Sequence, residues 1–213
     1  MNALLKKSIA EFVGVTVFLT AITAANNDIL KPFTVAIALC LMILLTGGVS
    51  GGHLNPAVTL FFYARKEITL GSALSYIGAQ LAGAFAGASL GAVLTGTINK
   101  SFIATGGTIA AKGLVGEIVA TAGLVWIIGT LIQNKQSNFI PVAVGGWIVT
   151  AATFTTTGAQ ANPAVTFGLM VQGSWPTSFG GPLIIAQVVG VLIAILLLII
   201  FAPKAKKAVA RKK

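Results

Sequence analysis

Hydrophobic residues occur in six long runs along this chain, separated by short polar segments. The runs cover about residues 8–26, 33–51, 70–95, 113–133, 139–158 and 179–202. A helix needs about 20 mostly apolar residues to cross a bilayer, and the runs are close to that length. Strands of a membrane barrel would alternate polar and apolar residues, whereas residues 191–201 are continuously apolar. The pattern predicts an all-α membrane protein with six transmembrane helices.

Two further apolar runs, 55–65 and 162–172, are too short to cross a bilayer. Each opens with Asn-Pro-Ala, as Asn55, Pro56 and Ala57 and as Asn162, Pro163 and Ala164. Asparagine is a favoured N-cap, and proline suits the first turn of a helix. A helix of about 10 residues reaches only halfway through the hydrocarbon core. We therefore expect two re-entrant half-helices whose N-termini meet near the midplane.

The chain contains an internal repeat. The two Asn-Pro-Ala copies and the residues Gln80 and Gln187 are each separated by 107 positions, and Glu11 and Glu117 by 106. Each half has three predicted spans, an odd number, so the second half must enter the membrane from the opposite side. We expect a single membrane domain over residues 1–213, with a first repeat at 8–100, a second, inverted repeat at 113–202 and a basic cytoplasmic tail at 203–213.

Composition supports the membrane class. Hydrophobic residues make up 56% of the chain and charged residues 8%, and the mean hydropathy is +0.95, outside the range of soluble domains. The net charge of +10 comes from clusters beside the spans, which indicates topology rather than a nucleic-acid partner. With both termini in the cytoplasm, the basic residues that lie outside are Lys31, Lys100 and Lys112, and the rest lie inside, as the positive-inside rule requires. A plasma (inner) membrane location is expected.

Glycine-containing segments precede both Asn-Pro-Ala copies, at 47–54 and 157–161. Non-helical backbone at membrane depth survives only where it is buried or lines a cavity. The predicted pore-lining residues of these segments are Gly52, His53, Gly158 and Gln160. Two half-helix N-termini each bring about half a positive charge to the midplane, which repels cations and protons but not neutral solutes.

The segment Ser-Gly-Gly-His-Leu-Asn-Pro-Ala-Val-Thr at 50–59 resembles the first signature of the aquaporin and aquaglyceroporin family, the major intrinsic proteins. Similar residues stand at 10–12, 79–81 and 181–182, and the resemblance covers about residues 8–202. It implies a homotetramer in the lipid bilayer, with one pore per subunit for water or small uncharged molecules.

The resemblance also implies roles for matched residues. Asn55 and Asn162 would donate amide N–H groups to the permeating oxygen, in addition to capping their half-helices. Glu11 and Glu117 would accept hydrogen bonds from the backbone of the re-entrant loops. A coupling-ion or proton-relay role for these two carboxylates stays open.

One position departs from the family. Where the family usually has an Arg after the second Asn-Pro-Ala, this chain has Val165. The residues that resemble the family's selectivity filter are Val35, Thr150, Ala159 and Val165. Such a ring would be wider and more apolar than a strict water filter, so that solutes such as glycerol or urea could pass. Alternatively, the gap could be filled by an aromatic side chain (Phe33, Phe139 or Phe154) or by a donor from 96–112.

Other classes receive less support. The missing Arg leaves open a cation-leaky channel of the same fold, and inverted repeats also occur in secondary transporters. His53 is the only histidine and Cys40 the only cysteine, which excludes a multi-His metal site and an intramolecular disulfide. No nucleophile–base pair indicates an enzyme, and we expect neither a metal nor a cofactor.

Overall fold

The computed structural model describes residues 1–97 and 107–202, and its regular secondary structure there is entirely helical. Six helices are long and apolar enough to cross a membrane: α1 (Ala3–Ala24), α2 (Lys31–Ser50), α4 (Leu70–Thr95), α5 (Ala111–Gln133), α6 (Ile140–Phe154, after a 3₁₀ turn at Ser137–Phe139) and α8 (Thr177–Ile200). Two short helices, α3 (Pro56–Ala64) and α7 (Pro163–Val171), follow the two Asn-Pro pairs. The predicted fold class is confirmed. The predicted tail at 203–213 and Lys100 lie outside the described residues.

The prediction was wrong about the end of the fifth span. Helix α6 ends at Phe154 rather than near residue 158, and residues 155–161, the second lead-in, run without helix to Asn162. The carboxylate of Glu117 binds the Thr157 hydroxyl and two backbone N–H groups of this segment. In the first half, α2 continues to Ser50, so that the corresponding first lead-in is residues 51–54.

Small residues bring the long helices together within each half. Helix α4 packs on α1, and α8 packs on α5. A Cβ atom at Gly83 of α4 would collide with the carbonyl oxygen of Phe12, and one at Gly190 of α8 would collide with that of Ile118. Close backbone approach of this kind is the usual basis of helix association in membranes, where no hydrophobic driving force separates helix from lipid.

These small-residue faces also correct an expectation. The stripes of Ala79, Gly83, Gly87 and Gly91 and of Ala186, Gly190 and Ala194 repeat between the halves, which predicts that they pack around the pseudo-two-fold axis. In the structure, Gly83, Gly87 and Gly91 face α1 and Gly190 faces α5, and α4 and α8 do not contact each other. The stripes therefore hold each half together rather than joining the two halves.

The half-helices join the halves, together with the contact between α2 and α6. Helix α3 of the first half contacts α8 and α5 of the second, while α7 contacts α4 and α1, and the two short helices also meet. Leu54 and Ala161 lie directly before Asn55 and Asn162. Both have positive φ, 49° and 45°, although neither is a glycine. This left-handed conformation turns the chain into each short helix. The exterior exposes many large apolar side chains, as expected of a surface that faces lipid.

Candidate functional site

A cavity of about 340 Å³ runs between the two halves, and both lead-ins line it. Its walls are mostly aliphatic and come from α1, α2, α5 and α6 and from the half-helices α3 and α7. The polar groups at its centre belong to the lead-ins and to the Asn residues that follow them. The predicted site residues that line it are Val35, Gly52, His53, Asn55, Gly158, Ala159, Gln160, Asn162 and Val165.

Asn55 and Asn162 occupy equivalent positions in the cavity wall. Each side-chain oxygen accepts the backbone N–H two residues ahead, Ala57 at 2.8 Å and Ala164 at 2.9 Å, and so caps its own half-helix. Pro56 and Pro163 occupy the first helical positions, where no N–H is needed. The two half-helices therefore begin side by side, as the repeated motif predicts.

The two Asn amides also bind across the boundary between the halves. Asn55 Nδ2 donates to the carbonyl of Ala161 at 2.8 Å, and Asn162 Nδ2 donates to that of Leu54 at 3.0 Å. An amide nitrogen carries two hydrogens, so each retains one donor beyond this bond. Because both residues line the cavity, the remaining hydrogens are available to an oxygen inside it.

Glu11 anchors the first lead-in from the middle of α1. Its Oε1 accepts from the Ser50 hydroxyl (2.6 Å) and the His53 N–H (3.0 Å), and its Oε2 accepts from the Leu54 N–H (2.6 Å) and Gln80 Nε2 (2.8 Å). Four donors fill the acceptor sites of one carboxylate. The side chain is fully buried and does not line the cavity, which makes it a structural anchor for non-helical backbone.

Glu117 of α5 repeats this arrangement in the second half. It accepts from the Thr157 hydroxyl, from the N–H groups of Gln160 (2.9 Å) and Ala161 (2.8 Å), and from Gln187 Nε2 (2.8 Å). It too is fully buried. Paired anchors of this kind leave no acceptor atom of either carboxylate free for an ion.

A hydroxyl connects each anchor to one side chain in the cavity wall. In the first half, Gln80 Nε2 donates to Thr59 Oγ1 (3.0 Å), which lies 3.2 Å from His53 Nδ1. In the second, Gln187 Nε2 donates to Thr166 Oγ1 (3.0 Å), which donates to Gln160 Oε1 (2.7 Å). Thr59 and Thr166 are 107 positions apart, like the Asn residues. The sequence indicated His53 and Gln160 but not the threonines that orient them.

Thr150 is a correction to the predicted filter. Its side chain is exposed on the outer surface of α6, its hydroxyl donates to the Gly146 carbonyl within the same helix, and it does not line the cavity. The α6 residues that do line it recur every four positions: Ile140, Val144, Ile148 and Ala152. A count of residues back from Asn162 passes through the non-helical second lead-in. Such a count does not show on which face of α6 a residue lies. The helical spacing of its apolar residues is the signal that identifies Ile148.

None of the three aromatic side chains proposed as substitutes for the missing Arg enters the cavity. Phe33, Phe139 and Phe154 are all more than half exposed and do not line it. Of the segment 96–112, residues 98–106 lie outside the described ranges. No sequence pattern indicated the polar end of the cavity. Asp28 of the α1–α2 connection and Lys31 at the start of α2 lie there, with three residues of the α7–α8 connection: Gln172, Ser174 and Trp175.

Comparison with known proteins identifies relatives over nearly the whole chain. The family model described as Major intrinsic protein matches residues 1–156 and 136–213. A probable TIP-type aquaporin of Medicago truncatula is 33% identical, over 90% of this chain and 87% of its own length. Aquaporin-4 of Notomys alexis is 30% identical, over 90% of this chain and 66% of its own length.

The fold also matches a solved structure. The X-ray structure of the aquaglyceroporin from Plasmodium falciparum superposes with a TM-score of 0.67, covering 91% of this chain and 95% of that one at 20% identity. At that identity the likeness concerns the fold alone. It agrees with the six long and two short helices described above.

Proposed function

The chain belongs to the major intrinsic protein family, and we propose that it is a passive channel for water and small neutral solutes such as glycerol. As a member of this family it is an integral, multi-pass membrane protein that forms a channel, and members of the family are channels rather than enzymes. The solute range is the part that the proposal adds.

The observation that carries the proposal is the pair of Asn amides in one cavity wall. Each caps a half-helix with its oxygen and keeps an N–H beyond its bond to the opposite half. A water whose oxygen accepts from both amides must turn its own hydrogens away from the midplane. Proton hopping along a continuous file of waters is then interrupted, while a neutral molecule can still pass.

The walls around Val165 support the wide solute range. Of the four residues assigned to the filter, Val35, Ala159 and Val165 line the cavity, and so does Ile148 of α6. None of them carries a charge or an aromatic ring. We propose that they form an apolar outer constriction that admits molecules larger than water.

Val165 also favours a second candidate, a cation-leaky channel of the same fold. In the described part of the chain, the charged residues that line the cavity are Asp28 and Lys31, at its polar end. The barrier to cations at the centre would therefore depend on the half-helix N-termini and the Asn amides.

The proposed setting is the plasma (inner) membrane, with both termini in the cytoplasm and four subunits in one assembly. The distribution of basic residues supports the orientation, and the family supports the tetramer. Protease protection of tagged termini in sealed vesicles tests the orientation, and native mass measurement tests the assembly.

Stopped-flow light scattering on proteoliposomes tests the function directly. Osmotic water flux and the entry of glycerol and urea are compared with those of empty vesicles, and a potassium gradient reports cation leak. Fast water and solute entry without cation leak is the expected result. Water flux alone would contradict the wide constriction, and a potassium current would favour the second candidate.

A further inference from the structure

One buried polar group in the outer half of the cavity has no hydrogen-bond partner in the described part of the chain. In the described part of the chain, four buried side-chain atoms have no hydrogen-bond partner, and they belong to Gln80, Thr121, Gln160 and Gln187. Among these residues, Gln160 alone lines the cavity. Its side chain is 6% exposed, and the unpaired atom is the amide nitrogen, Nε2. Buried polar groups without a partner are rare and call for an explanation.

The contacts of Gln160 indicate which end of its amide lacks a partner. A carboxylate only accepts, so Glu117 Oε2 requires the nitrogen of the Gln187 amide, which also donates to Thr166 Oγ1. The Thr166 hydroxyl has two acceptors within reach, Gln160 Oε1 at 2.7 Å and the Asn162 carbonyl at 3.3 Å. The bond to Gln160 is the shorter one, and with its oxygen bound in this way Gln160 has only its NH₂ group left as a donor.

The first half ends its chain of hydrogen bonds in the same kind of group. Gln80 donates to Thr59, whose hydroxyl oxygen lies 3.2 Å from His53 Nδ1. A neutral histidine that accepts at Nδ1 carries its proton at Nε2. In each half a buried carboxylate binds a glutamine, the glutamine binds a threonine, and the threonine binds a side chain of the cavity wall. That side chain is His53 in the first half and Gln160 in the second. With its acceptor atom bound to the threonine, each has an N–H left to donate.

We propose that Gln160 determines selectivity in the outer half as a neutral donor to the permeating molecule. The inference deepens the proposed function and rests on it for the identity of the permeant. Val35, Ile148, Ala159 and Val165 also line the cavity, and their side chains cannot donate. A neutral amide supplies a hydrogen bond to a permeating oxygen without the bulk or charge of an Arg. Thr166 is a positioning residue, because it acts only through Gln160.

Flux measurements on matched variants test the proposal. Gln160→Met keeps the length of the side chain but removes the donor, and the flux of each permeant that the unmodified protein carries is expected to fall about fivefold, the effect of one lost neutral hydrogen bond. Gln160→His rebuilds the arrangement of His53 and Thr59, and it is expected to restore most of the flux. Thr150→Val, on the outer surface, serves as the control. Fluxes of Gln160→Met and the control that agree within twofold would overturn the proposal.

A second measurement is independent of transport. Magnetisation transfer from water to the Gln160 side-chain amide, in ¹⁵N-labelled protein in lipid, is expected to give a cross-peak that Thr166→Val weakens by freeing the amide to turn. Absence of the cross-peak in the unmodified protein would overturn the assignment even if flux is normal. A cross-peak in a protein without water or solute flux would support the Gln160 donor and reject the proposed function.

Discussion

The two lead-ins are anchored by equivalent glutamates but differ in the side chains that they present to the cavity. Glu11 and Glu117 each accept from one hydroxyl, two backbone N–H groups and one glutamine amide. Beyond those anchors the first lead-in is held by aromatic rings. His53 stacks on Phe62 with centroids 4.4 Å apart, and it meets the edge of Tyr76 at 5.2 Å.

No aromatic ring in the described ranges, 1–97 and 107–202, stacks on the second lead-in. At an offset of 107 positions, Leu169 and Leu183 stand where the first half has Phe62 and Tyr76. The hydroxyl of Tyr76 donates to the Ser50 carbonyl at 2.8 Å, a bond that a leucine cannot form. The comparison indicates that both halves need a buried carboxylate, because non-helical backbone inside a membrane must be satisfied internally.

Removing the anchors should have the largest effect and should expose the difference between the halves. Glu117→Ala would leave four buried donors unpaired, at a cost on the order of 4 kcal/mol or more. Glu11→Ala should cost less, because Tyr76 and the stacked rings still hold the first lead-in. The readout is the fraction of monodisperse protein that survives heating in detergent.

Glu67 provides the matched control for both anchors. It is an exposed carboxylate that pairs with Arg65, and its replacement by Ala should leave thermal survival nearly unchanged. If Glu11→Ala proved as damaging as Glu117→Ala, the aromatic contacts would add nothing to the first lead-in.

Val165→Arg should have the next largest effect, on transport rather than stability. Val58 and Val165 are equivalent in the two halves, and both line the cavity. The substitution makes these two positions differ. A bulky cation at the apolar constriction should lower glycerol and urea flux about tenfold, or roughly 1.4 kcal/mol in barrier height, and water flux by less. Stopped-flow light scattering measures all three.

Val165→Leu adds bulk without charge and separates the two effects of the arginine. If water and solute fluxes fell by the same factor in Val165→Arg, the wide-constriction hypothesis would fail. A potassium leak that is present in the unmodified protein and lost in Val165→Arg, but not in Val165→Leu, would assign the leak to the missing charge.

The smallest expected effect is that of Tyr76→Phe, which makes the first half resemble the second. It removes the bond to the Ser50 carbonyl but keeps the ring against His53, and should cost about 1 kcal/mol of stability. Thermal survival in detergent should fall slightly, with water flux retained. No change in survival would mean that another donor satisfies Ser50.

The long helices, the half-helices and the paired anchors could be predicted from the sequence because they depend on local hydrophobicity or on repeated motifs. The end of α6 and the position of Thr150 could not. Both depend on the second lead-in, where residues 157–161 are not helical and bind Glu117, more than 35 positions earlier in the chain. A residue count from Asn162 cannot give the face of a helix that lies across such a segment.

The sequence by itself determined that this chain crosses a membrane six times and places two helix N-termini at its centre. Stretches of about 20 apolar residues and an N-cap followed by proline act within a few turns of chain. Only the tertiary structure decided that Asn55 donates to Ala161, that Ile148 rather than Thr150 lines the cavity, and that Gln160 keeps its amide free. These contacts join residues that can be more than 100 positions apart, and the packing of the two halves alone brings them within hydrogen-bond distance.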